Sequence, residues 1–182
     1  MRQILSKDIQ RELNTLITNK TEDFIYSIYD EAVVFRSNSN DVNESYCKDN
    51  NITVVSTSNF GGTIVASEGD MGLAIIEKEG WNRGLDILNY LCMCFNDIIP
   101  NLRVEGNDLI ADSNYKLASF ASTNIGDRFI YTIVAISINP NITHIRNICS
   151  KHIAKVPRGF QKYNVTANEI VDLLKQLTNT ND

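Results

Sequence analysis

The chain has 182 residues, 43% hydrophobic and 21% charged, with a net charge of -5. That is enough for one domain with a sizeable core, taken as residues 1–182. The acidic balance argues against a general binder of nucleic acid or of anionic membrane, because affinity for phosphate comes from Lys and Arg.

No apolar run approaches the roughly 18 residues needed to span a bilayer. The opening stretch MRQILSKDIQRELNTL is charged throughout and lacks a signal-peptide core, so the cytoplasm is the expected location. The four cysteines, Cys47, Cys92, Cys94 and Cys149, show no zinc-ligand spacing and read as free thiols.

Ser6 to Thr18 reads as a helix, with Ser6 as a candidate cap and Ile9, Leu13, Leu16 and Ile17 at helical spacing. Phe24–Tyr29 and Ala32–Phe35 read as strands joined at Asp30-Glu31. An Asn-rich segment around Asn38, Asn40 and Asn43 follows, then a short helix from Val42 to Lys48 and a strand from Ile52 to Ser56. Gly61 and Gly62 form a turn that lets backbone N–H groups come close to a ligand. A short strand, a second turn at Gly69-Asp70 and another strand come next.

Gly80 to Phe95 is the main helix, with Cys92, Met93 and Cys94 expected in or near the core. Val104 to Ser122 reads as a strand, a polar turn at Asp112-Ser113-Asn114 and a second strand opened by Lys116. Small residues follow that lysine: Ala118, Ser119, Ala121 and Ser122. Such a lysine is either a solvated surface group or one aimed into a pocket at an anion. Phe129 to Asn139 is the strongest strand, apolar enough for burial on both faces. A short helix from Ile142 to His152, capped by Asn141, would carry Cys149 as a buried thiol. The last helix opens with a capping box from Thr166 to Glu169 and buries Ile170, Leu173, Leu174 and Leu177.

Asn107-Asp108-Leu109-Ile110 followed by Lys116-Leu117-Ala118 resembles the central signature of the lipoate–protein ligase family. Gly61-Gly62-Thr63-Ile64-Val65 is similar to that family's Gly-Gly core, and Gly69-Asp70-Met71 to its Gly-Asn-Leu. The resemblance covers roughly Ala32 to Ser137. It implies an α+β fold, a mixed and largely antiparallel sheet flanked by helices. It also implies transfer of an acyl group, lipoate or octanoate, to a lysine of a lipoyl carrier domain through an acyl-adenylate, with ATP and Mg2+ as cofactors.

In that reading Lys116 contacts the acyl carboxylate and phosphate, and Gly61, Gly62 and Thr63 supply donors. Asn107 and Asp108 hold the nucleotide or its magnesium, Asp108 being the metal ligand, and Asn40 lines the acyl pocket. Two alternatives stay open. Thr57 and Ser58 stand where the family has two arginines, and Ala66 and Ser67 where it has His-Asp, which suits an inactive fold that binds a partner protein. The related octanoyltransferases pair a cysteine with the lysine, and Cys149 would be that nucleophile.

Overall fold

The structure is a computed structural model that describes residues 1–36, 41–56, 63–78, 83–112, 114–126, 128–149 and 155–179. In chain order the elements are β1 (Arg2–Gln3), α1 (Ile9–Asn19), β2 (Asp23–Ile28), β3 (Val33–Arg36), α2 (Glu44–Asp49), β4 (Thr53–Ser56), β5 (Ile64–Ala66) and β6 (Met71–Lys78). Then follow α3 (Arg83–Phe95), β7 (Arg103–Glu105), β8 (Asp108–Ala111), β9 (Tyr115–Asn124), β10 (Phe129–Ile136), α4 (Ile142–Ile148) and α5 (Ala167–Asn179).

The strands form two sheets. The seven-stranded one runs β1-β2-β6-β10-β9-β8-β7 and is antiparallel except for the β1–β2 pair. The three-stranded one runs β4-β3-β5. β10 lies between β6 and β9, and Tyr131 to Val134 are buried on both faces, as the continuous apolar run predicts.

Strand alternation sorts the core into layers. Met71, Leu73 and Ile75 of β6 face α3 and α5 with Ile87, Leu88, Leu91, Ile170 and Leu174. Ala74 and Ile76 face the other way, toward α1 and the small sheet, with Ile9, Leu13, Val33 and Phe35. Beyond the small sheet, Val34, Cys47, Ile52 and Ile148 join it to α2 and α4. Among the described residues no helix is long and apolar enough to cross a membrane.

The capping box forms as the spacing predicts: Glu169 N–H donates to Thr166 Oγ1 at 3.3 Å, and Thr166 N–H to Glu169 Oε2 at 2.7 Å. Asn141 caps α4 by accepting from His144 N–H. Four expectations are corrected. Ser6 does not cap α1; its buried hydroxyl accepts from Asp30 N–H at 3.1 Å and ties the helix start to the end of β2. Met93 is 64% exposed, because α3 turns that position away from the sheet. The α4 helix stops at Ile148, leaving Cys149 as an extended cap residue that bridges to Val42. The stretch expected to hold two strands holds three, because Gly106, at φ +61°, closes a tight turn between β7 and β8.

Candidate functional site around Lys116

The pairing of β8 with β9 is irregular. Leu109 pairs with Ala118, but Ile110 pairs with Lys116, so Leu117 is an extra residue in β9. Such a bulge re-aims the side chains beside it. Leu117 and Ala118 both enter the core on the helix side of the sheet, beside Leu109 and Ala111. Alternation from Leu117 then sends Lys116 to the opposite face, the face of Ala121 and Ile133. Without the extra residue, Lys116 would share the helix face with Ala118.

The backbone of Lys116 is clamped as well. Its N–H donates to Val156 C=O at 3.1 Å, and its C=O accepts from Arg158 N–H at 2.9 Å. The clamp is anchored through Asp112, whose Oδ2 lies 3.4 Å from the Arg158 guanidinium and accepts from the Tyr163 hydroxyl at 2.8 Å. Arg158 stacks over the Tyr115 ring at 4.0 Å. Partial burial and that bond to Asp112 push the Tyr163 phenol up to about 12.

The Lys116 ammonium stands 3.8 Å from Asp108 Oδ1, and Lys155 Nζ stands 2.9 Å from Asp108 Oδ2 and 3.6 Å from Glu105. Two cations therefore flank one carboxylate. The hydrogen bond to Asp108 raises the Lys155 ammonium further. Sequence reasoning missed Lys155 and Arg158, because nothing local marks them; only the bridge between Lys116 and Pro157 brings their segment here.

From this cluster a row of small residues crosses the sheet on the same face. Asp108 pairs with Ser119, Ser119 with Ala135, Ala135 with Gly72 and Gly72 with Ser27. Ser119 and Ala135 keep part of their surface exposed although they lie in inner strands of the sheet. The Lys116 ammonium lies at the Asp108 end of this row. At the other end Gly72 meets Tyr29: a Cβ on Gly72 would lie 1.8 Å from the Tyr29 hydroxyl.

Other expected residues are distributed as follows. Thr63, just before β5, has a buried hydroxyl with no hydrogen-bond partner. Asn107 is exposed in the β7–β8 turn, where its C=O accepts from Phe120 N–H at 3.0 Å. Gly61, Gly62 and Asn40 lie outside the described residues. Asp70 serves the scaffold: its buried carboxylate accepts from Ser67, Ile138 and Asn139 N–H at 2.8, 2.7 and 3.0 Å. Burial raises that carboxyl, and the three donors pull it back. Ser67 is equally structural, its hydroxyl accepting from Asn141 N–H at 2.7 Å.

Cys149 is half-buried. Burial pushes its thiol up, Lys116 pulls it down by less, and Asp41 and Cys47 add to the rise. It is thus within electrostatic reach of Lys116 but held as a thiol rather than a thiolate.

Two ammonium groups side by side are donors that a phosphate group takes. Asp108 suits magnesium poorly, since both its oxygens already face ammonium groups. Among the described residues no three His, Cys, Asp or Glu side chains gather as a metal site. A separate groove of ≈ 750 Å³, lined by Asp30, Glu31, Asn50, Ser67, Asn139 and His144 among others, does not include Lys116. It is an open depression whose charged lining is Asp30, Glu31 and Glu68.

No family model matches the sequence, and no curated protein matches it. Solved structures do. Plasmodium falciparum LipL1 in complex with lipoate has a TM-score of 0.76 at 13% identity; the match covers 98% of this chain and 59% of that one. A bi-partite lipoate protein ligase from Thermoplasma acidophilum, studied with its E2 lipoyl domain, has a TM-score of 0.74 at 12% identity, covering 97% and 79%. Lipoate-protein ligase A bound with ATP has a TM-score of 0.72 at 13% identity, covering 95% and 81%. The chain has the fold of the lipoate–protein ligases.

Proposed function

We propose that this chain binds a medium-length acyl carboxylate, lipoate or octanoate, with its head at Lys116. In this reading it activates the acid with ATP as an acyl-adenylate and passes the acyl group to a lysine of a lipoyl carrier domain. The observation that carries the proposal is the bulge at Leu117, which turns Lys116 onto the face that carries the row of small residues Ser119, Ala135 and Gly72. A bulge of this kind re-aims a side chain at some cost to the ladder, and a solvated surface lysine has no use for it.

Lys116 and Lys155 would stabilise negative charge on the carboxylate and phosphate, an electrostatic role. The orphan hydroxyl of Thr63 would donate to a ligand oxygen. ATP supplies the leaving group that makes the carboxyl reactive. The solved relatives support the ligand classes, since they carry lipoate in one case and ATP in another, and one was studied with a lipoyl domain.

Calorimetric titration with lipoate, with and without ATP, tests this. The unaltered protein should release heat, and Lys116→Ala should abolish it. No heat from the unaltered protein refutes the proposal.

One observation favours a second reading, a protein-binding module without turnover. Ser67 stands where the family resemblance places the aspartate of a His-Asp pair, and here it is buried with its hydroxyl accepting from Asn141 N–H. Such a module would retain one stoichiometric partner from lysate, other than a lipoyl carrier. The Cys149 route predicts an octanoyl adduct on the intact protein after exposure to an octanoyl donor, lost in Cys149→Ser. The upward push on the thiol makes that adduct slow to form.

A further inference from the structure

We propose that a polarised groove, apart from the lysine, takes an extended segment of a partner protein that carries basic side chains at one end and acidic ones at the other. Two depressions meet to form it. The one of ≈ 750 Å³ and a neighbour of ≈ 440 Å³ are both lined by Ile138, Asn139 and Gln161. Among the described residues the charged lining of the first is Asp30, Glu31 and Glu68, and that of the second is Arg158 and Lys162. The sign of the charge therefore changes along the groove. The sequence has the same segregation: from Phe129 to Ala167 it carries Arg146, Lys151, Lys155, Arg158 and Lys162 and no Asp or Glu, in a chain of net charge -5.

Both walls are held to the shared strip. The Asp70 carboxylate accepts from Ile138 and Asn139 N–H, and the Ser67 hydroxyl from Asn141 N–H, which fixes the loop that carries Glu68. Phe160 and Gln161 N–H donate to Ser137 and Ile138 C=O at 3.0 Å each, which fixes the segment that carries Arg158 and Lys162. Gly159 allows that approach, since a Cβ there would collide with the Ile138 C=O. A groove with fixed walls binds without the cost of ordering them.

The lining selects a polypeptide. Asn139 and Gln161 are exposed, and among the described residues their side-chain amides have no hydrogen-bond partner. Each such amide offers one acceptor and a donor group, the pair that a peptide backbone presents. Small-molecule sites are enclosed and mostly apolar, whereas this groove is open and polar along its length. A polyanion such as a nucleic acid would suit the basic end and be repelled by Glu68 and its neighbours. A segment with charges of both signs meets each end with its opposite. Since both walls bond to one strip, the two ends lie on the order of 10–15 Å apart, about four residues of extended chain.

NMR titration of the labelled protein's backbone amides at low salt tests this. The probe is an acetylated and amidated Gly-Ser peptide with two arginines and, about four residues on, two glutamates. The controls are the same peptide with arginine at all four places, the same with glutamate at all four, and an oligothymidylate. The mixed peptide should bind at least about fivefold tighter than either control peptide and should move the amides of Gly69, Asn139 and Gln161. Glu68→Lys and Lys162→Glu, both at exposed positions, should each weaken it roughly fivefold, with circular dichroism confirming the fold. A mixed peptide that binds no better than the controls, or not at all, overturns the proposal. So does binding that both variants leave unchanged, or that moves other amides only. An oligothymidylate that binds the same amides as tightly also overturns it and makes the basic end a nucleic-acid surface. Neither variant alters the Lys116 cluster, so each of these outcomes leaves the acyl reading standing.

Discussion

Asp108 can be tested with a change that separates two roles by sign. If it only balances Lys116 and Lys155, then Asp108→Asn frees two ammonium groups for an incoming anion. If it holds nucleotide or magnesium, the same change weakens binding. The magnitude follows from the geometry. The carboxylate lies 3.8 and 2.9 Å from the two ammonium groups, and its side chain is 21% exposed. A ligand anion on those lysines would sit about 6 Å from the Asp108 carboxylate; at an effective dielectric of about 40 the repulsion is roughly 1.4 kcal/mol, which solvent and salt reduce to about 1 kcal/mol. Removing it should tighten anion binding about fivefold, by the same arithmetic. The assay is calorimetric titration with pyrophosphate at low and at physiological salt, with magnesium and with a chelator. The expected result is a tighter complex in Asp108→Asn, less so at higher salt and independent of magnesium. A weaker complex, or a gain that vanishes in chelator, would refute the balancing role and return Asp108 to the ligand set that the family resemblance implies.

Three other outcomes are expected. Asp70→Asn keeps one acceptor oxygen for Ile138 and Asn139 but turns an amide toward Ser67 N–H, so it should cost about 2–3 kcal/mol and lower the melting temperature by roughly 5–10 °C; an unchanged denaturation midpoint would show that these bonds hold nothing. The two hydrogen bonds from Thr166 hold the Glu169 carboxyl below its ordinary 4.5, so its contribution is present above that value and is lost as pH falls through the lowered one; Glu169→Gln should flatten this part of the acid-unfolding profile, measured by circular dichroism. Lys116→Met should slow iodoacetamide labelling of Cys149 several-fold at mildly alkaline pH, since the cation that lowers the thiol is gone; equal peptide-level labelling by mass spectrometry in both proteins would mean that thiol and lysine are uncoupled.

The sequence made visible what is local. The capping box at Thr166, the Asn141 cap and the buried run from Phe129 are patterns within a few residues, and each forms as read. The lysine itself was found from its neighbours Asn107 to Ala118, and so was the fold, through the family resemblance. What stayed hidden is set by register and by distant pairing. The bulge at Leu117 exists only relative to β8, and nothing in Lys116-Leu117-Ala118 announces it. The turn at Gly106 was read through because Val104, Leu109 and Ile110 look like one strand until the glycine is given its left-handed conformation. Lys155 and Arg158 reach the lysine through a single backbone bridge, and Tyr29 reaches Gly72 because β2 lies beside β6. Ser6 was assigned to its own helix, but its hydroxyl accepts from Asp30 N–H, a residue 24 positions away that no local pattern announces.

The same bulge brings a lysine onto the face that carries the row of small residues. A regular β9 would keep Ala118 and Lys116 on the helix face, where the charge would meet Leu109, Ala111 and the apolar flank of α3. Burial of an unpaired ammonium there is prohibitive, so the strand could not carry lysine at that position without the extra residue. With Leu117 inserted, Leu117 and Ala118 both pack on the helix side, and the ammonium emerges on the other face beside Ser119. Ser119 is in turn opposite Ala135, and Ala135 opposite Gly72. The clamp from Val156 to Arg158 then fixes the bulged backbone against slipping back into register, because both polar groups of Lys116 are used by that segment. Charge, small-residue row and clamp come from three separate parts of the chain, and a one-residue shift in β9 separates all three.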